Sequence, residues 1–256
     1  MESRESHQIE TYELHNGLRV ILKKLPINEA YIRMVVDCGV VHESPTNNGV
    51  SHLLEHLVGE DGQIKDKRVR PIYKVERAGG EFTASTSEID TSYKLVIPQA
   101  FFGRGLRLFL DMVADPLFSE ENFRRERGVV ISEIEDADAY LYHEVLKGLL
   151  RGHVLAMPAY GTKDTVMRLT SKKIRRWHRR FYQPQRMTLI VVGSVDIKNI
   201  KRIIRRSKIN SLENRDIFVP TVRVVDINWQ KKLELKKYNY YRTTIILPGP
   251  SVFEYS

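Results

Sequence analysis

The stretch His52-Leu53-Leu54-Glu55-His56 constrains this chain more than any other, because it asks for one local structure and one kind of chemistry together. In a helix successive residues turn by about 100°, which gathers His52, Glu55, His56 and Gly59 on one narrow face and leaves Val50, Leu53, Leu54, Leu57 and Val58 on the other. One side is polar and the other is core. Imidazoles one turn apart can each aim a nitrogen at a single cation about 2.0–2.1 Å away, the bond length zinc takes, and a carboxylate beside them can act on water at that ion. Two histidines on a helix can also be surface or satisfied core residues. The intervening Glu55, the apolar opposite face and the N-cap candidates Thr46, Asn47, Asn48 and Gly49 favour the metal reading. His-x-x-Glu-His is, besides, the inverted order of a zinc-hydrolase motif.

A tetrahedral ion that keeps one position open for water needs a third protein ligand. Residues 119–135 follow Pro116, with Ser119 as an N-cap and Glu120 and Glu121 in the first turn, where the helix dipole favours acids, and they predict a long helix. Glu126 and Glu133 stand two turns apart on it and share a stripe with Val129, Val130 and Ala137. Carboxylates on an apolar stripe are costly to bury without a cation or a hydrogen-bond donor. An ion held by two histidines supplies one.

These residues resemble the pitrilysin/insulinase family of inverted-motif zinc peptidases, which includes the mitochondrial processing peptidases. In that family a glutamate on a later helix completes the site, and another glutamate precedes it by two turns. Glu133 stands 77 residues after His56, at a similar separation, and Glu126 takes the earlier place. Leu14-His15-Asn16-Gly17-Leu18-Arg19-Val20 resembles the family's opening strand, and Gly39 and Glu43 resemble the segment leading into the motif. Arg77-Ala78-Gly79-Gly80-Glu81-Phe82 with Thr91-Ser92-Tyr93 resembles its central hairpin. Tyr160-Gly161, Phe181-Tyr182-Gln183-Pro184 and Val191-Val192-Gly193 resemble later landmarks in the right order, so the resemblance covers residues 10–200.

The resemblance implies a zinc-dependent endopeptidase acting on peptides or unfolded proteins. It assigns zinc to His52, His56 and Glu133, the general base to Glu55, and to Glu126 a hydrogen bond from a ligand histidine. It also implies that the edge strand around Thr83, Ala84 and Ser85 takes the substrate backbone by strand addition. Read from the residues alone, Glu126 is also an ordinary helix carboxylate paired with Arg124 or Arg125. Glu135, the rival to Glu133, points roughly 200° away from it on a helix and is set aside. Family members usually carry an asparagine-alanine pair where this chain has Thr83-Ala84, which puts one side-chain hydrogen bond to substrate in question. They also commonly pair two homologous halves across a cavity, which implies a second half or a dimer partner here.

Asn16-Gly17 predicts a tight turn between strands at 9–14 and 18–22, and residues 31–36 predict a strand that feeds through Gly39 into the motif helix. A short helix over 72–77 is broken by Gly79-Gly80, and strands follow at 81–87 and 91–98. Helices are predicted over 101–113, 140–150, 170–182 and 197–204, with an apolar buried strand at 188–193. Strands and helices without regular βαβ alternation predict an α+β class: one mostly antiparallel sheet with helices packed on one face. Residues 1–206 read as the zinc-binding catalytic domain, 207–232 as a polar linker, and 233–256 as the start of a second, truncated homologous domain.

Residues 172–242 hold 20 of the 41 lysines and arginines with only 5 acids, which invites a nucleic-acid or anionic-membrane reading. Ile174, Trp177, Phe181, Ile203 and Ile204 interrupt those clusters at helical spacing, so solvated faces of amphipathic helices are the expectation, with no nucleic acid and no membrane bound. A single cysteine, Cys38, excludes an internal disulfide framework. No run approaches the roughly 20 apolar residues of a spanning helix. The first seven residues carry acids and no apolar run, and the expectation is a soluble, cytoplasmic protein.

Overall fold

The Asn16-Gly17 pair makes the expected turn: Asn16 Oδ1 accepts from the Leu18 amide at 3.3 Å and Gly17 takes φ +83°. This joins β1 (Ile9–Glu13) to β2 (Arg19–Lys24) as an antiparallel hairpin. The computed structural model describes residues 9–60, 71–135, 153–215 and a few positions between 144 and 150. In it the hairpin joins β3 (Glu29–Val36), β4 (Glu81–Thr86), β5 (Thr91–Pro98) and β6 (Met187–Gly193) in one sheet of order β1-β2-β6-β3-β5-β4. Every pairing is antiparallel except that of β2 with β6.

The two-residue period of the strands decides which face is core. Phe82, Leu95, Ile32, Val191 and Leu22 line up across five strands, and the next inward row runs Ala84, Tyr93, Met34, Leu189 and Val20. On the opposite face Glu29, Tyr31, Arg33 and Lys94 stand in solvent. A sheet apolar on one side can be covered once, and the helices cover it: α1 (Val50–Glu60), α2 (Pro71–Arg77), α3 (Phe102–Ala114), α4 (Glu120–Ile134), α5 (Lys163–Met167), α6 (Ser171–Phe181) and α7 (Ile197–Arg205). This is the α+β layer the sequence predicts.

Helix starts follow local chemistry. Ser119 Oγ accepts from the Asn122 amide at 3.2 Å, Thr170 Oγ1 from Lys173 at 3.3 Å and Asp196 Oδ1 from Asn199 at 2.9 Å. In α6 Ile174, Trp177 and Phe181 are buried while Lys172, Lys173, Arg175, Arg176, Arg179 and Arg180 are exposed, so the basic cluster is one solvated face. Beyond α7 the chain runs back along the domain. Ile209 is buried, the Lys208 amide donates to Asp111 Oδ1 at 2.7 Å, and Asn214 Nδ2 donates to the Asn16 carbonyl at 2.7 Å. Residues 216–232 of the stretch read as a linker, the strands expected within 233–256 and most of the helix expected over 140–150 lie outside the described residues. Among the described residues no helix is long and apolar enough to cross a membrane.

The register makes a stability prediction. Leu189 is fully buried between β2 and β3, whereas Ile190, one residue along, lies on the other face and is only partly buried. Leu189→Ala lowers unfolding free energy by about 2–5 kcal/mol, and Ile190→Ala costs clearly less, measured by urea denaturation.

Candidate metal centre

Helix α1 is held to the core by Val50, Leu53, Leu54, Leu57 and Val58, each at most 1 % exposed. None of the expected residues caps it by its side chain. Asn47 Oδ1 turns back to the Ser44 amide, and the acceptor at the helix start is Glu43. Its Oε2 accepts from the Gly49 amide at 2.8 Å and from Asn48 Nδ2 at 2.8 Å, while Oε1 accepts from the Ser51 amide at 2.9 Å. A buried carboxylate thereby satisfies two of the helix's unpaired amides and sits at the positive end of its dipole. Asn48 also donates to the Pro158 carbonyl at 2.9 Å, tying on the loop that carries Tyr160. Gly49 and Gly161 cross there with φ +89° and +79°. A Cβ on Gly49 would stand 2.7 Å from the Tyr160 carbonyl oxygen, and one on Gly161 2.7 Å from that of Asn48.

The seam between α1 and α4 gathers the ionisable groups. His52 Nε2 lies 3.6 Å and His56 Nε2 3.5 Å from the same oxygen, Glu133 Oε2, and the three donor atoms all fall within 4.8 Å of one another. For bonds of roughly 2.0–2.1 Å, tetrahedral geometry separates ligand atoms by about 3.3–3.4 Å, so the spacing suits three ligands about one zinc-sized ion. Two imidazole nitrogens and a carboxylate oxygen are also a donor set that zinc accepts.

Behind His56, Nδ1 meets Glu126 Oε2 at 3.3 Å, and Arg125 Nε donates to Glu126 Oε1 at 2.9 Å. Glu126 therefore meets the His56 ring with one oxygen and the Arg125 guanidinium with the other. Nδ1 of His52 is buried with no hydrogen-bond partner, while the Tyr160 ring packs edge-on against His52 with centroids 4.7 Å apart. Glu55 is 8 % exposed, its Oε2 lies 3.9 Å from His52 Nε2, and it accepts from Thr86 Oγ1 at 2.8 Å. Glu135 faces away and pairs with Lys163 at 2.7 Å.

Protonation follows from these surroundings. In the metal-free chain burial pushes His52 down to about 3, with the charge of His56 adding to it, so His52 offers a neutral lone pair. His56 is raised: burial opposes its charge, but the hydrogen bond to Glu126 and the charges of Glu133 and Glu55 outweigh burial. Glu126 is lowered, since its bonds to His56 and Arg125 overcome its desolvation. Burial raises Glu55 against the pull of the Thr86 hydroxyl. Cys38 is fully buried and its thiol is pushed up to about 12, mainly by desolvation, which leaves it an inert core group.

Strand β4 is an edge of the sheet among the described residues. The Ser87 amide donates to the Asp90 carbonyl, so by antiparallel alternation residues 81, 83 and 85 bond to β5, while Phe82, Ala84 and Thr86 turn their amides and carbonyls to the open edge. Of the three residues read as substrate contacts, Ala84 offers its backbone there. Thr83 and Ser85 direct theirs to β5 and stand exposed on the sheet face away from α1. Thr86, which sequence reading passed over, follows Phe82 and Ala84 at the two-residue period and so falls on the face that meets α1. Glu43 stands seven residues before the motif helix and gives no local sign that it caps it.

A family model described as Insulinase (Peptidase family M16) matches residues 19–163, and one described as Peptidase M16 inactive domain matches residues 168–252. An uncharacterized zinc protease of Bacillus subtilis, YmxG, is 30 % identical over 200 residues, covering 76 % of this chain and 49 % of that protein. Among solved structures, a protease from Helicobacter pylori superposes with a TM-score of 0.77 at 25 % identity, over 87 % of this chain and 55 % of that one. Pitrilysin superposes with a TM-score of 0.74 at 17 % identity, over 87 % of this chain and 24 % of its own, which speaks to fold alone. The chain spans about half the length of the curated relatives it matches.

The Glu43 cap makes a pH prediction. Burial raises the carboxyl from 4.5 to about 7 in the folded chain, so folding favours its protonated form. Its contribution is therefore fully present below about 4.5 and is lost as pH rises towards 7, with a slope of up to about 1.4 kcal/mol per pH unit. In urea titrations between these limits, Glu43→Gln removes that slope relative to the parent.

Proposed function

The chain belongs to the insulinase (M16) family of peptidases, and on that premise we propose that it is the metal-carrying half of a zinc-dependent endopeptidase. The reading rests above all on the convergence of His52, His56 and Glu133 on one point, with the Glu55 carboxylate beside it. His52, His56 and Glu133 would hold the ion. Bound there, zinc supplies Lewis acidity toward water and toward the scissile carbonyl.

The chain's own side chains account for the rest. Glu55 takes a proton from the attacking water as its oxygen bonds to the carbonyl carbon, and delivers that proton to the amine nitrogen as the C–N bond breaks. The Thr86 hydroxyl fixes the Glu55 carboxylate, and Glu126 fixes the ring of His56. A peptide or unfolded segment pairs as a strand with the open edge of β4 through the backbone of Phe82, Ala84 and Thr86. Thr83 is not among those edge groups, so the backbone dominates recognition of the peptide. A homologous second half or a partner subunit closes over the substrate, in keeping with the half-length match, and the cytoplasmic setting expected from the sequence belongs to the same proposal. A second reading, zinc bound but no cleavage without that partner, is favoured by the same half-length; peptidase assays with and without the remaining half distinguish the two.

Metal analysis and turnover test the assignment together. Glu133→Ala loses zinc, and Glu126→Ala weakens zinc affinity or activity by about 10–100-fold. Glu55→Gln keeps zinc while hydrolysis falls by roughly 10²–10⁴; full turnover in that variant would overturn the base role. Thr86→Val, which keeps shape and removes the hydroxyl, lowers kcat by about 10-fold or more with zinc content unchanged, and Thr86→Ser restores it.

A further inference from the structure

A groove of about 580 Å³ between α2 and α3 takes no part in the chemistry above. Its lining contains Val75 and Ile97, which are buried, and Ala78 and Leu108, which are partly buried. Gly105 keeps it deep, since a Cβ there would come within 2.4 Å of Ile97 Cδ1. Phe101 adds an aromatic ring to the lining and is 38 % exposed. Phe101, Leu108 and Ala78 thus leave apolar surface facing water above a floor of buried Val75 and Ile97.

The rim is cationic on both sides. Lys74 and Arg77 stand three residues apart on α2, and Arg104 and Arg107 three apart on α3, all exposed. Three residues is about one helical turn, so each wall presents a short row of positive charge. Asp111 is the one carboxylate in the lining and is already engaged, by Arg107 at 3.7 Å and by the Lys208 amide at 2.7 Å. Glu76, the acid of α2, does not line the groove. Among the described residues no carboxylate lies within 4.0 Å of the cationic groups of Lys74, Arg77 or Arg104. An occupant must therefore bring apolar groups for the floor and negative charge for two opposite walls. A single-headed amphiphile such as a fatty acid can reach one wall only. A helix laid along the groove reaches both, because the residues flanking its apolar stripe project to either side.

We propose that this groove docks an acidic amphipathic helix of a partner protein, with apolar side chains at i, i+3, i+4 and i+7 on the floor and Asp or Glu on both flanks against the two basic rows. Charge on the rim steers the partner, and the apolar floor holds it. The proposal is independent of the metal assignment, because it uses none of the seam residues.

The test uses the whole chain and three probes: a labelled helix-forming peptide with leucines at those four positions and glutamates on both flanks, the same peptide with lysines for the glutamates, and dodecanoate. Fluorescence anisotropy is expected to show the glutamate peptide bound, its affinity falling as ionic strength rises, and the lysine peptide unbound. Lys74→Glu with Arg104→Glu weakens the glutamate peptide by about 10-fold or more. Both positions are exposed and have no ion pair among the described residues, and an unchanged unfolding midpoint confirms that the double variant is folded. Equal binding of the lysine peptide, failure of the glutamate peptide to bind, an affinity indifferent to the double reversal, or displacement of the peptide by dodecanoate each overturns the proposal, the last by making the groove a fatty-acid site.

Discussion

The seam between α1 and α4 carries more negative than positive charge, and the site depends on how that imbalance is met. Glu55, Glu126 and Glu133 share it with two imidazoles, and Arg125 is the one permanent cation within ion-pair distance of them among the described residues. Burying carboxylates without compensation is expensive, and protonating His56 offsets only part of it. A divalent ion between His52, His56 and Glu133 would offset that excess of negative charge. That uncompensated charge would favour binding of a cation at this point over leaving it empty.

The histidines are not equivalent. His56 is backed by Glu126 and, through it, by Arg125, so its ring orientation is set by a chain of hydrogen bonds. His52 has no such support at Nδ1 and is oriented by packing, with Tyr160 against its ring and the crossed glycines 49 and 161 fixing where that tyrosine sits. One imidazole is positioned electrostatically and the other sterically. The glycine crossing lies beside the Glu43 cap, so the start of α1 and the position of Tyr160 are set by one cluster of contacts.

What was legible in the sequence is what short-range periodicity encodes. The 3.6-residue stripe of α1, the Glu126 and Glu133 spacing on α4, the Asn16-Gly17 hairpin and the amphipathic basic helices all appear in the structure because each depends on neighbours within a turn or two. Interactions between distant residues were not legible. Glu43 caps α1 across a loop, and neither its spacing nor its type differs from an ordinary surface acid. The phase of β4 is subtler still: a strand around Thr83, Ala84 and Ser85 can be read from composition, but whether 83 or 84 faces the open edge depends on one hydrogen bond at the turn, Ser87 to Asp90. The apolar run of β6 reads as a buried strand, but its parallel seating between β2 and β3 left no mark on the local pattern, since which strands it joins depends on residues more than 150 positions away.

That seating also orders events during synthesis. Every residue of the seam, from His52 to Glu133, leaves the ribosome before residue 187, yet the layer beneath α1 has a gap until β6 arrives to join Leu22 to Ile32 through Val191. A nascent chain can therefore carry His52, Glu55, His56 and Glu133 while lacking the floor that holds them in register. Because contacts so distant along the chain form late, the relative positions of His52, His56 and Glu133 are fixed only once residues 187–193 have taken their place at the middle of the sheet.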